Sequence, residues 1–282
     1  MVYGALIPSG PSSGFWRAAA AEMGDIEDFA MPEPTVLNPD AASRLLLFID
    51  HASNHVPEEF DALGLRQDAL AEHIGWDIGA ATLAHGLAKR LTLPTVLAAV
   101  SRLVVDTNRD PSDALAVPEY SDGILIPGNM GLPFELRRQR FERYHQPFHD
   151  ACGRLIIEAL RRGVEPMLIG LHSFTPQMRG EEPRPWEVGV MWGHDDKLAV
   201  PLVEFFKGRG LNVGQNEPYS GQPPGSVFYT MARHGAVNKL PHAQIEVRND
   251  QIADAEGIAK WTDLLADALR HLDGAVSAAT GP

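Results

Sequence analysis

The sequence predicts an α/β fold: one domain with a mainly parallel or mixed central sheet and helices on both faces. Two observations carry that prediction. Short continuous apolar runs alternate along the chain with amphipathic helical patterns, and most of those runs stop abruptly at a polar residue, as strands buried on both faces do. The chain has 282 residues, 44% of them hydrophobic and 22% charged, long enough for one large core.

Residues 1 to about 40 mix Gly, Pro, Ser and acidic residues without periodicity, as in Pro8-Ser9-Gly10-Pro11 and Met31-Pro32-Glu33-Pro34. They are expected to form an irregular arm, leaving 41–282 as the folded domain. Leu45-Leu46-Leu47-Phe48-Ile49-Asp50 reads as a buried strand. Gln67 to Leu91 is helix-like, but Gly75 and Gly79 divide it near Trp76-Asp77, where Asp77 is placed to cap the second piece. Residues 94–100 and 103–106 are β-rich and predict two short strands or one bent strand. Residues 111–133 are rich in turn signals and suit a lid over a site.

A long helix is expected from Glu135 to Arg162, where Phe141, Tyr144, Phe148, Cys152, Leu155 and Ala159 recur every three or four residues. A strand follows at Met167 to Leu171, ending at His172-Ser173. Then come a strand at 186–192, a helix at 197–206, a strand at 211–214 and a Gly/Pro-rich stretch at 217–225 that could close over a pocket. A strand at 243–247 and a last helix at 254–272 complete the alternation.

Charge narrows the function classes. Lys plus Arg is 24 against 37 for Asp plus Glu, a net charge of -13, which leaves no basic footprint for a nucleic acid. An anionic small molecule would have to be captured by a local cluster of Arg. Cys152 is the only cysteine, so an intrachain disulfide and a Cys-rich metal site are both excluded. The N-terminus lacks a secretory pattern and no run is long enough to span a membrane, so a cytoplasmic protein without a membrane partner is expected. Oligomeric state leaves no mark in the sequence.

Ligands of open α/β sheets bind beyond the carboxyl ends of the strands. Four runs deliver chemistry there: His51 with Asn54 and His55; Asp106, Asn108 and Arg109; His172 with Ser173; and Glu246 with Arg248. Imidazoles that hold a metal, a carboxylate that takes a proton from water and guanidinium groups that grip a carboxylate are the parts of a metal-assisted hydrolase acting on an acidic substrate. Each residue also has a structural alternative. Asp77 could only cap a helix, Arg102 and Arg109 could be surface ion pairs, and Glu246 could be a salt bridge to Arg248 or Arg102. Tyr144-His145 and His149 could merely complete a helix face. The single G-x-S-x-G match, Gly10 to Gly14, lies in the arm without strand-turn-helix context, and Cys152 falls on the apolar side of its helix, so neither supports a covalent nucleophile.

Five segments taken in order, His51-Ala52-Ser53-Asn54-His55-Val56-Pro57, Trp76-Asp77-Ile78-Gly79-Ala80, Ser101 to Arg109, Leu171-His172-Ser173-Phe174 and Gln244 to Asp250, resemble the N-formylglutamate amidohydrolase family over roughly residues 45 to 270. That resemblance implies a zinc-exopeptidase-like (phosphorylase/hydrolase-like) fold, as in the zinc carboxypeptidase and aspartoacylase group. It makes His51 the first zinc ligand, His172 the last, Asn108-Arg109 the clamp for a substrate carboxylate and Glu246 the general base, with Arg102, Arg248 and Ser173 as further substrate-binding candidates. The wider group has a Glu three residues after its first His; here that position is Asn54. Asp77 is the candidate for the missing anionic ligand and Glu58 the runner-up. The implied activity is hydrolysis of the linear amide of an N-formyl or N-acyl acidic amino acid such as N-formyl-L-glutamate, with zinc or another divalent ion. Two alternatives are the same site acting on another N-acylated metabolite or a peptide end, and a metal-free, non-catalytic metabolite-binding protein.

Overall fold

In a computed structural model of the chain, the described residues are 32–221 and 227–279, with side chains described as far as residue 276. Strands β1 (Thr35–Leu37) and β2 (Leu45–Ile49) are followed by helices α1 (Gln67–Ala71) and α2 (Ala80–Leu91), then β3 (Thr95–Leu97) and a small hairpin of β4 (Tyr120–Ser121) and β5 (Ile124–Leu125). Next come α3 (Phe134–Arg140), a π-helical turn (Phe141–His145), α4 (Gln146–Arg161), β6 (Met167–Phe174), β7 (Val188–Met191) and α5 (Ala199–Gly208). The chain ends through β8 (Val213–Gln215), α6 (Tyr229–Met231), β9 (His242–Arg248) and α7 (Ala255–Ala279).

The main sheet has seven strands in the order β1-β3-β2-β6-β9-β7-β8. Neighbours β3, β2, β6 and β9 run parallel, while β1 and the β7-β8 pair are antiparallel to the strands they join, so the sheet is mixed as expected. Every residue of β2 is buried, which is what an unbroken apolar run requires. Alternate side chains go to opposite faces. Leu45, Leu47 and Ile49 enter a core with Leu83 and Leu87 of α2, Phe206 of α5 and Trp261 and Leu265 of α7. Leu46 and Phe48 enter a second core with Phe148, Cys152 and Leu155 of α4 and Met231 of α6. Phe48, Phe148 and Trp261 are wholly buried, each contributing about 1.5–3 kcal/mol by removing apolar surface from water. Among the described residues, no helix is long and apolar enough to cross a membrane.

Three expectations are corrected by the folded chain. Only Thr95–Leu97 of the β-rich stretch forms a strand. Leu103, Val104 and Val105 instead turn away from the sheet into a third apolar cluster with Leu63, Leu70, Ile74 and Ile126, which builds a wall beside the strand ends. The burial demanded by that run is met by loop packing rather than by a ladder. Within the expected arm, Thr35–Leu37 pairs antiparallel with β3; residues 1–31, including the Gly10–Gly14 match, lie outside the described residues. Finally, Gly79, not Asp77, precedes α2, with a left-handed φ of 83°. A side chain there would strike Ile252, so only glycine makes this turn, and Asp77 is left with its carboxylate directed elsewhere.

Candidate active site

Because β2, β6 and β9 run parallel, their carboxyl ends lie on one edge of the sheet. His51 follows the end of β2, and His172 of β6 sits in register with Glu246 of β9. The backbone N–H of Asp77 donates to the carbonyl of His51 at 3.0 Å, fixing the carboxylate between the imidazoles. Asp77 Oδ2 is 3.3 Å from His51 Nδ1 and 2.8 Å from His172 Nδ1, and each of the three residues can offer a ligand atom within 4.8 Å of the others. The opposite ring nitrogens also face carboxylates: His51 Nε2 lies 2.7 Å from Asp106 Oδ1, and His172 Nε2 lies 3.3 Å from Asp50 Oδ2.

This arrangement is strongly negative at its centre. Burial and the Arg102 charge oppose protonation of His51, but Asp106 and Asp77 outweigh them and its pKa is raised. At His172, burial is overcome by the close carboxylates of Asp50 and Asp77 and by the charge of Glu246, and the pKa is held well above the ordinary range. Asp77 and Asp106 are buried as well, yet the facing imidazoles, and Arg102 in the case of Asp106, keep both carboxyls far below their usual values. Glu246 goes the other way: burial raises its pKa, and the charge of His172 only partly offsets this. Gln244 Nε2 donates to Glu246 Oε1 at 2.7 Å and fixes its orientation.

These groups open onto a cavity of about 260 Å³. His51, Asp77, Arg102, Asn108, Arg109, His172, Ser173 and Glu246, eight of the nine residues proposed from sequence, line it. Arg102 Nη2 donates to Asp106 Oδ2 at 2.8 Å, and Arg109 pairs with Asp113 at 2.9 Å and with Asp106 at 3.5 Å. The ninth residue, Arg248, does not line this cavity: it faces Asp250 and donates to the carbonyls of Arg184 and Trp186. Asn108 lines the wall, but its amide donates to the Val227 carbonyl and accepts from the Thr230 N–H, so it ties its own segment to the start of α6. Ser173 Oγ donates to the Ile78 carbonyl. Asn54 and Glu58 line a separate surface depression with His55 and Asp61. Residues 222–226 of the Gly/Pro-rich stretch lie outside the described residues, while Tyr219 lines the cavity. Of the loop at 111–133, Leu115, Pro118, Tyr120, Ser121 and Asp122 form its rim.

Asp50 and Gln244 received no role from the sequence, and Asp106 none beyond its place at a run's end. Both Asp residues directly terminate apolar runs, which is the signal that could have found them. The donor set also fits a metal. Two histidines and one carboxylate are a common zinc set, and the carboxylates on the far ring nitrogens are the outer partners that orient metal-binding imidazoles. With a carboxylate of raised pKa and two guanidinium groups in the same cavity, the site can polarise a carbonyl, move a proton and hold an anion.

The pattern of the N-formylglutamate amidohydrolase family matches residues 43–253. The gene product Atu2144 from Agrobacterium tumefaciens is 32% identical with a TM-score of 0.82, over 88% of this chain and 96% of that one. The N-formylglutamate amidohydrolase from Ralstonia eutropha JMP134 shares the fold at 20% identity and a TM-score of 0.63, over 88% of this chain and 98% of that one. No curated protein sequence matches. On the family match over most of its length, the chain belongs to the N-formylglutamate amidohydrolase family and is a hydrolase acting on amide bonds.

Proposed function

We propose that this protein cleaves the linear amide of an N-formyl or other N-acyl acidic amino acid, such as N-formyl-L-glutamate, using a divalent cation held by His51, Asp77 and His172. The observation that carries the reading is the approach of Nδ1 of both imidazoles to one Asp77 oxygen beside Glu246. The donor types favour zinc, and when bound the cation supplies Lewis acidity at the scissile carbonyl and lowers the pKa of water. Glu246 takes a proton from the attacking water and passes it to the leaving nitrogen as the C–N bond breaks, releasing the acid and the free amine. Its raised pKa suits a group that must both accept and return a proton. Arg109, assisted by Arg102, grips the substrate carboxylate, with Asn108 and Ser173 in the same wall. A reducing cytoplasm suits its single, buried thiol.

A second reading keeps this chemistry and changes the substrate to a bulkier N-acylated metabolite or a peptide end. It is favoured by Ile74, Leu115, Phe174 and Met178, apolar residues lining the same cavity. One experiment tests both: zinc-reconstituted protein is given a panel of N-acyl amino acids, with and without a chelator, and liberated amine is measured. The expected result is chelator-sensitive turnover that requires the free carboxylate and is fastest for N-formylglutamate; preference for a bulky acyl group selects the second reading. Undiminished turnover after complete metal removal defeats the metal assignment.

A further inference from the structure

Behind the 106–109 segment lies a column of three buried imidazoles that the proposed chemistry does not use. His145 closes the π-helical turn and His149 stands one helical turn later in α4, so both project from one side of the helix. His145 Nε2 lies 3.0 Å from the Arg109 carbonyl oxygen, and His149 Nε2 lies 2.9 Å from that of Thr107. His149 Nδ1 is 3.0 Å from His234 Nε2, on the π-helical turn Ala232–Ala236. The rings of His145 and His149 are 4.4 Å apart, those of His149 and His234 stack at 5.2 Å, and Tyr229 packs against the first two.

The contacts dictate where the protons sit. A carbonyl oxygen can only accept, so Nε2 carries the hydrogen in both His145 and His149. Burial, together with the neighbouring His145 and His234, keeps His149 uncharged, so its Nδ1 is a lone pair that accepts from His234 Nε2–H. Donation therefore runs one way, from His234 through His149 to the Thr107 carbonyl. The carbonyls so held belong to an irregular segment whose side chains include Asp106, facing His51, and Arg109, lining the cavity. Buried carbonyls of a loop need donors from outside it, and here imidazoles supply them.

We propose that His145, His149 and His234 are positioning residues that aim Arg109 and Asp106 through the carbonyls of Arg109 and Thr107. The proposal rests on the reading of Arg109 as the carboxylate clamp. A segment released from these donors can drift, and a displacement of about 1 Å costs up to about 100-fold in a reaction that depends on orientation.

The test replaces the donor and then restores it. His149→Leu removes the N–H, whereas His149→Gln puts an amide N–H at similar reach. With N-formylglutamate and zinc-loaded protein, His149→Leu should raise KM about tenfold, lower kcat much less and leave zinc content unchanged; His149→Gln should recover most of the loss. The pair His145→Leu and His145→Gln should behave in the same way. KM within twofold of the parent in both Leu variants, or Gln variants no better than Leu, overturns the proposal. Imidazole ¹⁵N spectra of the unmodified protein give a reading that needs no turnover: His145 and His149 should be neutral Nε2–H tautomers, with His149 Nδ1 shifted as a hydrogen-bond acceptor. A protonated His149 or an Nδ1–H tautomer also overturns it. If the parent hydrolyses no N-acyl amino acid while the spectra are as expected, the substrate reading fails and the column stands as a brace for the segment.

Discussion

Two sets of histidines occupy this fold at nearly the same depth, and their electrostatics are opposite. His51 and His172 are 3% and 2% exposed, and His149 and His234 are 1% and 7% exposed, so burial alone does not separate them. The first pair faces Asp77, Asp106 and Asp50, and its pKa values rise. The second faces a carbonyl, an imidazole and Arg233; His149 is driven well below its ordinary value, and His234 is lowered to about 4. Desolvation is the largest influence on all four, so its sign cannot be what differs. Formal negative charge at hydrogen-bond distance decides whether a buried imidazole sits in a place that attracts a cation or in one that excludes it.

The largest break in this contrast should come from Asp77→Asn. Without the shared carboxylate, the strand-end imidazoles face fewer charges and resemble the second set, and zinc affinity should fall by more than about 100-fold, beyond the 10- to 100-fold typical of losing an outer partner. Equilibrium dialysis with metal analysis reads this directly; near-normal affinity would remove Asp77 from the ligand set. Asp106→Asn should be milder, about 10- to 100-fold in zinc affinity, because Asp106 contacts the far nitrogen of His51. The same variant should raise KM, since Asp106 also holds Arg102 and lies 3.5 Å from Arg109. A change in only one of the two quantities would separate the metal site from the clamp.

The smallest effect sharpens the second set. With its folded pKa near 4 against about 6.5 when unfolded, His234 takes up a proton more readily in the unfolded chain. Its contribution is therefore neutral above about pH 6.5 and increasingly destabilising as pH falls toward 4, partly relieved by Asp50 and Asp150 and worsened by Arg233. Urea midpoints measured across that window should fall more steeply for the parent than for His234→Gln. Parallel slopes would show that His234 does not exchange protons on unfolding.

The strand ends made much of the site legible. His51 and His172 each follow an apolar run that forms a strand, Glu246 sits in register with His172 on the next parallel strand, and that arrangement brings them to one edge. Arg109, by contrast, follows a run that forms no strand and reaches the cavity from a loop. Asp77 was harder, because a carboxylate beside a helix start reads equally as a cap until the left-handed Gly79 takes over the turn. Arg248 shows the reverse case: it also follows an apolar run, but its neighbour Asp250 and two carbonyls engage it away from the cavity. The β-rich 103–106 run was misassigned because burial against a loop cluster and burial in a sheet demand the same residues.

By itself, the order of apolar runs and polar ends determined the α/β class, the edge where chemistry gathers and most of the side chains found there, since periodicity and strand termination are local properties. Tertiary structure alone decided which carboxylate faces which imidazole, that Asp50 and Asp106 back the two histidines, and that His145 and His149 meet carbonyls and His234 an imidazole where the first set meets carboxylates. Those pairings join residues at least 26 positions apart and depend on distances of a few ångströms, within which electrostatic energy changes steeply and which no local pattern encodes.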